Sequence, residues 1–120
     1  MENIRRIGQV SKLFLDSGTI VLTAFISPFK SDRKLVRQLF EDGSFLEVFI
    51  DSSLEVCEKR DPKGMYKKAR KGEIKNFTGI SSPFEPPLNP ALTISTFEKS
   101  IEKSGDELFN YILPKIKFEQ

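Results

Sequence analysis

The sequence predicts an α/β fold in which helices flank a parallel sheet. Segments with apolar residues at helical spacing alternate with short β-branched and aromatic runs, in the order α-β-α-β-α over the first sixty residues. Glycine, proline and serine separate these segments, and right-handed crossovers between such strands give a parallel sheet. At 120 residues the chain has the size of one domain, so we expect a single domain over 1–120.

The first two elements place polar residues where ligands bind in this fold class. An amphipathic helix is predicted over 3–16, ended by Gly18. The run Thr19–Phe25 is apolar and β-branched, which predicts a buried parallel strand. Ser27 and Pro28 then follow the carboxyl end of that strand, the edge at which open α/β sheets bind ligands. Ser27 is also interpretable as an ordinary turn or helix-capping serine.

The next helix is predicted to begin with Ser31 or Asp32 as its cap and to run to Leu39 or Phe40. A second strand follows over Phe45–Ile50, and a short helix over Leu54–Arg60. These elements complete the α-β-α-β-α alternation.

Turn residues divide the second half of the chain. Pro62 suits the first turn of a helix that ends at Gly72, and four prolines stiffen the connection after it. A further strand is predicted over Ala91–Thr96. A final helix is predicted over Thr96–Leu113, closed by Pro114.

A basic segment, Arg60–Ile80, concentrates the positive charge of the chain, and we call it the basic lid. It contains seven Lys or Arg against two acidic residues, a net charge of +5, whereas the whole chain carries +2. Such a segment suits a polyanionic small ligand such as a nucleotide, with Phe77 offering a face to a base. The alternative is an ordinary solvated basic helix.

Composition excludes several function classes. With no histidine in the sequence, a Ser-His triad and most zinc sites are excluded. The one cysteine, Cys57, cannot form an internal disulfide and is interpreted as a buried structural thiol, which favours a reducing, cytoplasmic location. We predict no membrane span. Nucleic-acid binding is disfavoured because the chain outside the basic lid is net acidic.

Four blocks together carry a family resemblance: ENIRRIG, TAFISPF, VFIDSSLEVCEKRDPKGMYKKARKGEIKNFTGI and SPFEPPLNP. In this order and spacing they resemble the C-terminal two-thirds of adenylyl-sulfate kinase, a P-loop enzyme. The resemblance implies an incomplete P-loop NTPase-like parallel sheet with flanking helices. It also implies the family's reaction, in which MgATP phosphorylates the 3′-hydroxyl of adenosine 5′-phosphosulfate.

The resemblance assigns roles at matching positions only. Asn3, Ile26 and Ser27 match substrate contacts, and Ser27 also matches the serine often described as a phosphoserine intermediate. Lys63 and Phe77 match lid residues, with Phe77 expected to stack on the adenine of the substrate. ATP and Mg²⁺ are the implied cofactors.

One departure from the family limits this inference. The phosphate-cradling motif G-x-x-x-x-G-K-[ST] does not occur in the sequence, and neither does the family's acidic segment near the metal. We therefore predict that the isolated chain is inactive and holds no Mg²⁺ ligands. We also expect it to aggregate, to self-associate, for example as a homodimer, or to require an N-terminal P-loop half. The alternative is a catalytically dead nucleotide-binding or regulatory domain.

Overall fold

The computed structural model describes residues 2–116, which divide into two compact units. The first unit contains the residues up to Leu46 together with Lys75–Leu88. The second contains Glu47–Ile74 and the residues from Asn89 onward.

Two packed helices form the framework of the first unit. Helix α1, Glu2–Asp16, confirms the predicted N-terminal helix, and it packs on α2, Lys30–Arg37. The helices meet at Gly8, which is buried; a Cβ atom there would lie 3.1 Å from Val36 Cγ1. A glycine at this position therefore allows the close approach of the two helices.

The prediction of a buried strand over Thr19–Phe25 is wrong. These residues form no helix or strand, and Ile20 and Leu22 are 59% and 77% exposed. A strand forms only where a neighbour accepts and donates its backbone hydrogen bonds. The described residues 2–116 contain one sheet of two strands, and the run Thr19–Phe25 is not hydrogen-bonded into it.

The predicted cap of α2 is also wrong. The N-cap position is Phe29, whose side chain cannot cap, while Ser31 and Asp32 lie inside the helix. A local cap is unnecessary because the carboxylate of Glu85 accepts the backbone N–H of Lys30 at 2.9 Å.

A two-stranded parallel sheet organises the second unit. Strand β1, Val48–Asp51, pairs with β2, Leu92–Ser95, with Val48 opposite Leu92. The sheet confirms the predicted parallel α/β class, with β1 displaced from the predicted Phe45–Ile50. Ile94 of β2 is 1% exposed and is the most deeply buried large side chain in the described chain.

Three helices accompany this sheet. They are α3, Leu54–Arg60; α4, Met65–Arg70; and α5, Ile101–Ile116. Helix α4 starts after Pro62 rather than at it, because the Asp61 carboxylate accepts the first-turn amides of Tyr66 and Lys67.

Helix α5 differs from its prediction at both ends. It begins at Ile101 rather than near Thr96, and it continues past Pro114 instead of ending there. A proline removes one backbone donor and disfavours a helix interior, but two further residues of α5 follow it.

Much apolar surface is exposed in the described chain. Ala69 and Ile94 are its buried hydrophobic residues, whereas Leu13, Leu88 and Ile101 are each at least 70% exposed. Cys57, predicted to be buried, is half-buried. No helix within residues 2–116 has the length and apolarity needed to cross a bilayer.

Two adjacent serines provide a matched test of local stability. Ser53 caps α3, since its Oγ accepts the N–H of Val56 at 3.2 Å, whereas no described group bonds the buried Oγ of Ser52. We expect Ser53→Ala to lower the free energy of unfolding by about 1 kcal/mol, measured by urea denaturation. Ser52→Ala should leave it unchanged or slightly higher, because it removes an unsatisfied hydroxyl. Equal losses in both variants would contradict the capping role.

Candidate functional site

The first unit contains a cavity of about 440 Å³. Its walls come from the start of α1, which supplies Asn3 and Ile4, from residues 24–29, from Asp32 of α2, and from Thr78. This volume lies in the range typical of small-molecule sites. The cavity walls are mixed, with amide, hydroxyl and carboxylate groups beside aromatic and aliphatic side chains.

Ser27 is the conformationally unusual residue of this wall. Its φ is +37°, a left-handed value that is uncommon outside glycine and costs roughly 1 kcal/mol. The side chain is half-buried, and its Oγ donates weakly to the Phe25 carbonyl at 3.5 Å. The surrounding structure must therefore hold this backbone geometry in place.

Arg33 supplies that restraint. Its guanidinium donates from Nη1 to the Ser27 carbonyl and from Nη2 to the Glu85 carbonyl, both at 2.6 Å. The same group lies 5.9 Å from the ring centre of Phe84. Hydrogen bonds from a charged donor contribute about 1.5–3 kcal/mol each, which exceeds the cost of the left-handed serine.

Glu85 connects the same loop a second time. Its backbone N–H donates to the Pro28 carbonyl at 2.8 Å, and its carboxylate binds the N–H of Lys30 at the start of α2. A carboxylate at a helix N-terminus is favourable because it satisfies a free donor and opposes the helix dipole. Residues 27–30 are thus joined to Glu85 by both backbone and side chain.

A tight turn holds Phe77 next to the cavity-lining Thr78. The N–H of Phe77 donates to Ser81 Oγ at 2.8 Å, and the Phe77 carbonyl accepts the amides of Ser81 and Ser82. Asn76 before it has φ +54°, which redirects the chain into the turn. The Phe77 side chain is half-exposed.

Lys63 belongs to the second unit, in a turn closed by the hydrogen bond from the Gly64 amide to the Asp61 carbonyl. Its side chain is exposed, as are those of Lys67 and Lys68 on α4. The basic lid is consequently divided: Arg60–Ile74 lies in the second unit and residues 75–80 in the first.

Two ionisable groups near α4 have shifted pKa values. Partial burial raises the pKa of Tyr66, and the Cys57 thiol beside it raises that pKa further, so the phenol stays protonated at neutral pH. Arg70 donates to Glu58 at 2.6 Å, and this hydrogen bond raises the pKa of Arg70. Neither group is suited to act as a general base.

The donor side chains in the described part of the chain are not arranged to bind a metal ion. Within residues 2–116 no three carboxylate or thiolate side chains cluster closely enough to hold an ion. Asp32 brings one carboxylate to the cavity wall.

The structure brings together three of the five residues singled out from the sequence. Asn3, Ile26 and Ser27 line one cavity, Phe77 adjoins its wall through Thr78, and Lys63 lies in the other unit.

Sequence reasoning missed Arg33 and Glu85. Arg33 resembles a solvated residue at the start of an amphipathic helix, and Glu85 stands between prolines. Arg33 binds a backbone carbonyl 52 residues away, and the Glu85 carboxylate binds a backbone amide 55 residues away, so neither hydrogen bond leaves a local pattern.

Comparisons with known proteins match this chain to one family. The family model described as adenylylsulphate kinase matches residues 1–95. The adenylyl-sulfate kinase of Bacillus pumilus is 60% identical over 116 residues, which are 97% of this chain and 59% of that protein. That of Vibrio vulnificus is 62% identical over 107 residues, covering 89% of this chain and 52% of that protein.

A solved structure agrees in fold. The Mycobacterium tuberculosis APS kinase, solved in complex with AMPPNP and APS, superposes with a TM-score of 0.86 at 44% identity. The match covers 92% of this chain and 65% of that one. The chain thus spans about half to three-fifths of the curated relatives cited above and about two-thirds of this solved chain. From its sequence and its fold, the chain belongs to the adenylyl-sulfate kinase family.

Proposed function

We propose that this chain forms the substrate-binding part of an adenylyl-sulfate kinase. In this role it binds adenosine 5′-phosphosulfate, whose 3′-hydroxyl receives a phosphoryl group from ATP to give 3′-phosphoadenosine 5′-phosphosulfate. The observation that carries the proposal is the cavity shared by Asn3, Ile26 and Ser27, because these are the positions that match the family's substrate contacts. We propose that the two units belong to one domain and that the protein is cytoplasmic.

The chemistry of the cavity and the lid suits this substrate. The Asn3 amide and the Ser27 hydroxyl are hydrogen-bonding groups of the cavity wall, and the aromatic ring of Phe77 suits stacking on adenine. Lys63 matches a lid residue of the family, and its exposed ammonium group suits an anionic ligand. Phosphoryl transfer depends mainly on positioning and electrostatics, so the absence of histidine from the sequence is no obstacle.

Binding of ATP phosphates and Mg²⁺ is assigned to a different polypeptide segment. The sequence has no phosphate-cradling motif, and the described residues hold no cluster that fits a metal ion. We propose that an N-terminal P-loop half completes the site, because a second copy of this chain would also lack the motif.

The same observations support a second candidate function. A nucleotide-binding or regulatory domain without catalytic activity would keep the cavity and the basic lid and would need no phosphate cradle. Turnover separates the two, since only the enzyme part regains activity when a P-loop half is supplied.

We expect the chain alone to give no turnover with ATP, Mg²⁺ and adenosine 5′-phosphosulfate. A hybrid in which it replaces the matching part of the Bacillus pumilus enzyme should be active, because the phosphate cradle is then present. Product formation is measured by chromatography, with the remaining Bacillus pumilus part alone as the control. Turnover by the isolated chain would refute the proposed division of roles. A hybrid that binds substrate without turnover would support the regulatory alternative.

Phe77→Ala tests the stacking role. We expect it to weaken binding of adenosine 5′-phosphosulfate to the hybrid by about 1–3 kcal/mol, roughly 5- to 150-fold, in isothermal titration calorimetry. Phe14→Ala removes an exposed phenylalanine of α1 that does not line the cavity, and it should leave the affinity unchanged. Unchanged binding in Phe77→Ala would remove this residue from the site.

Ser27→Ala distinguishes direct transfer from a phosphoserine intermediate. The Ser27 hydroxyl bonds to a backbone carbonyl and not to a basic side chain, so it lacks the activation that a nucleophile needs. We expect the turnover number of the Ser27→Ala hybrid to stay within about tenfold of that of the parent hybrid, because the loss of one hydrogen bond changes a rate by about this factor. Abolished turnover, together with a phosphorylated Ser27 in the parent hybrid by mass spectrometry, would instead establish the covalent route.

A further inference from the structure

Two segments of the first unit meet at one side chain. The cavity-lining loop Ser27–Phe29 and the proline-rich segment Pro83–Pro87 are joined by the guanidinium of Arg33, which binds one backbone carbonyl in each at 2.6 Å. Two further hydrogen bonds run beside it, from the Glu85 amide to the Pro28 carbonyl at 2.8 Å and from the Lys30 amide to the Glu85 carboxylate at 2.9 Å. We call these four hydrogen bonds the Arg33–Glu85 clamp.

The geometry of the clamp requires an arginine. A planar guanidinium presents two parallel donors on one rigid group, so it can bind two carbonyls at once. A lysine ammonium at the same position is a single point of attachment and cannot reproduce the fork. Arg33 is half-buried and also lies against the Phe84 ring, which limits competition from water.

One of the two carbonyls that Arg33 binds belongs to Ser27, the conformationally strained residue of the cavity wall. Ser27 holds a left-handed φ of +37°, and the direction of its hydroxyl depends on the orientation of this peptide. Glu85 lies three residues after Ser82, which hydrogen-bonds to the Phe77 carbonyl within the turn that carries Thr78. The clamp therefore joins the Ser27 wall of the cavity to the segment that bears Phe77 and Thr78.

We propose that Arg33, with Glu85, is a positioning residue for substrate binding: it holds Ser27 in its left-handed conformation and sets the cavity wall against the Phe77 segment. This inference rests on the proposed function for the identity of the ligand. The clamp itself rests on the hydrogen bonds alone. An arginine that served fold stability only would lower the unfolding temperature without a separate effect on ligand affinity.

The experiment compares the 120-residue chain with Arg33→Gln, Arg33→Lys and Arg37→Gln. Arg37 is the matched control, because it is another arginine of α2, lies 5.7 Å from the Phe45 ring and does not line the cavity. Three quantities are measured: amide hydrogen exchange at Glu85, the Kd for adenosine 5′-phosphosulfate, and the unfolding temperature. If Arg33→Gln does not fold, Arg33→Lys carries the test.

We expect Arg33→Gln to accelerate exchange at the Glu85 amide and to weaken substrate binding, each by about tenfold or more. Arg33→Lys should give an exchange rate and a substrate affinity between those of Arg33→Gln and the parent chain. Arg37→Gln should change neither quantity, even where its unfolding temperature falls as far as that of Arg33→Gln.

Each outcome is decisive. Unchanged exchange at Glu85 in both Arg33 variants would overturn the clamp. Faster exchange with unchanged affinity would overturn the positioning role while leaving the proposed function intact. Absence of substrate binding by the parent chain would overturn both the proposed function and the positioning role for the isolated chain, and exchange at Glu85 would still decide whether the clamp exists.

Discussion

The conformation of the cavity wall depends on the guanidinium of Arg33, because it binds two backbone carbonyls from segments that are far apart in the sequence. One of these carbonyls belongs to Ser27, whose left-handed backbone needs an external restraint. The other belongs to Glu85, whose carboxylate satisfies the first turn of α2. The cavity, the start of α2 and the proline-rich segment are thus fixed by a few hydrogen bonds.

This dependence matters because the hydrophobic core of the described chain is small. Ala69 and Ile94 are buried, whereas the apolar run 19–25 is largely exposed and the sheet has two strands. Burial of apolar surface is the main source of stability in most domains, so polar contacts carry an unusual share here. The sequence also has no phosphate-cradling motif, and the chain spans about half to three-fifths of the curated relatives cited above.

Local sequence patterns predicted the elements whose stability is local. Helix α1 and strand β2 follow from periodicity and β-branched residues, and the parallel pairing follows from the alternation of elements. The strand predicted over 19–25 failed because strand formation requires a pairing partner, which periodicity does not report. The prediction of the α2 cap failed because the carboxylate that accepts the Lys30 N–H belongs to Glu85, 55 residues further along the chain. For the candidate site, the resemblance singled out Asn3 and Ser27, which line the cavity, but a side chain bound to distant backbone atoms has no signature in composition or spacing.

The central claim, that the cavity of the first unit binds adenosine 5′-phosphosulfate, is tested most directly by titrating this compound into the isotope-labelled chain and following its amide NMR signals. We predict saturable shifts at Asn3, Ser27 and Thr78, with no shift at Arg37 and Phe45, which line a separate cavity of about 270 Å³. Saturable shifts confined to the second cavity, or none at any residue of the first, would contradict the account.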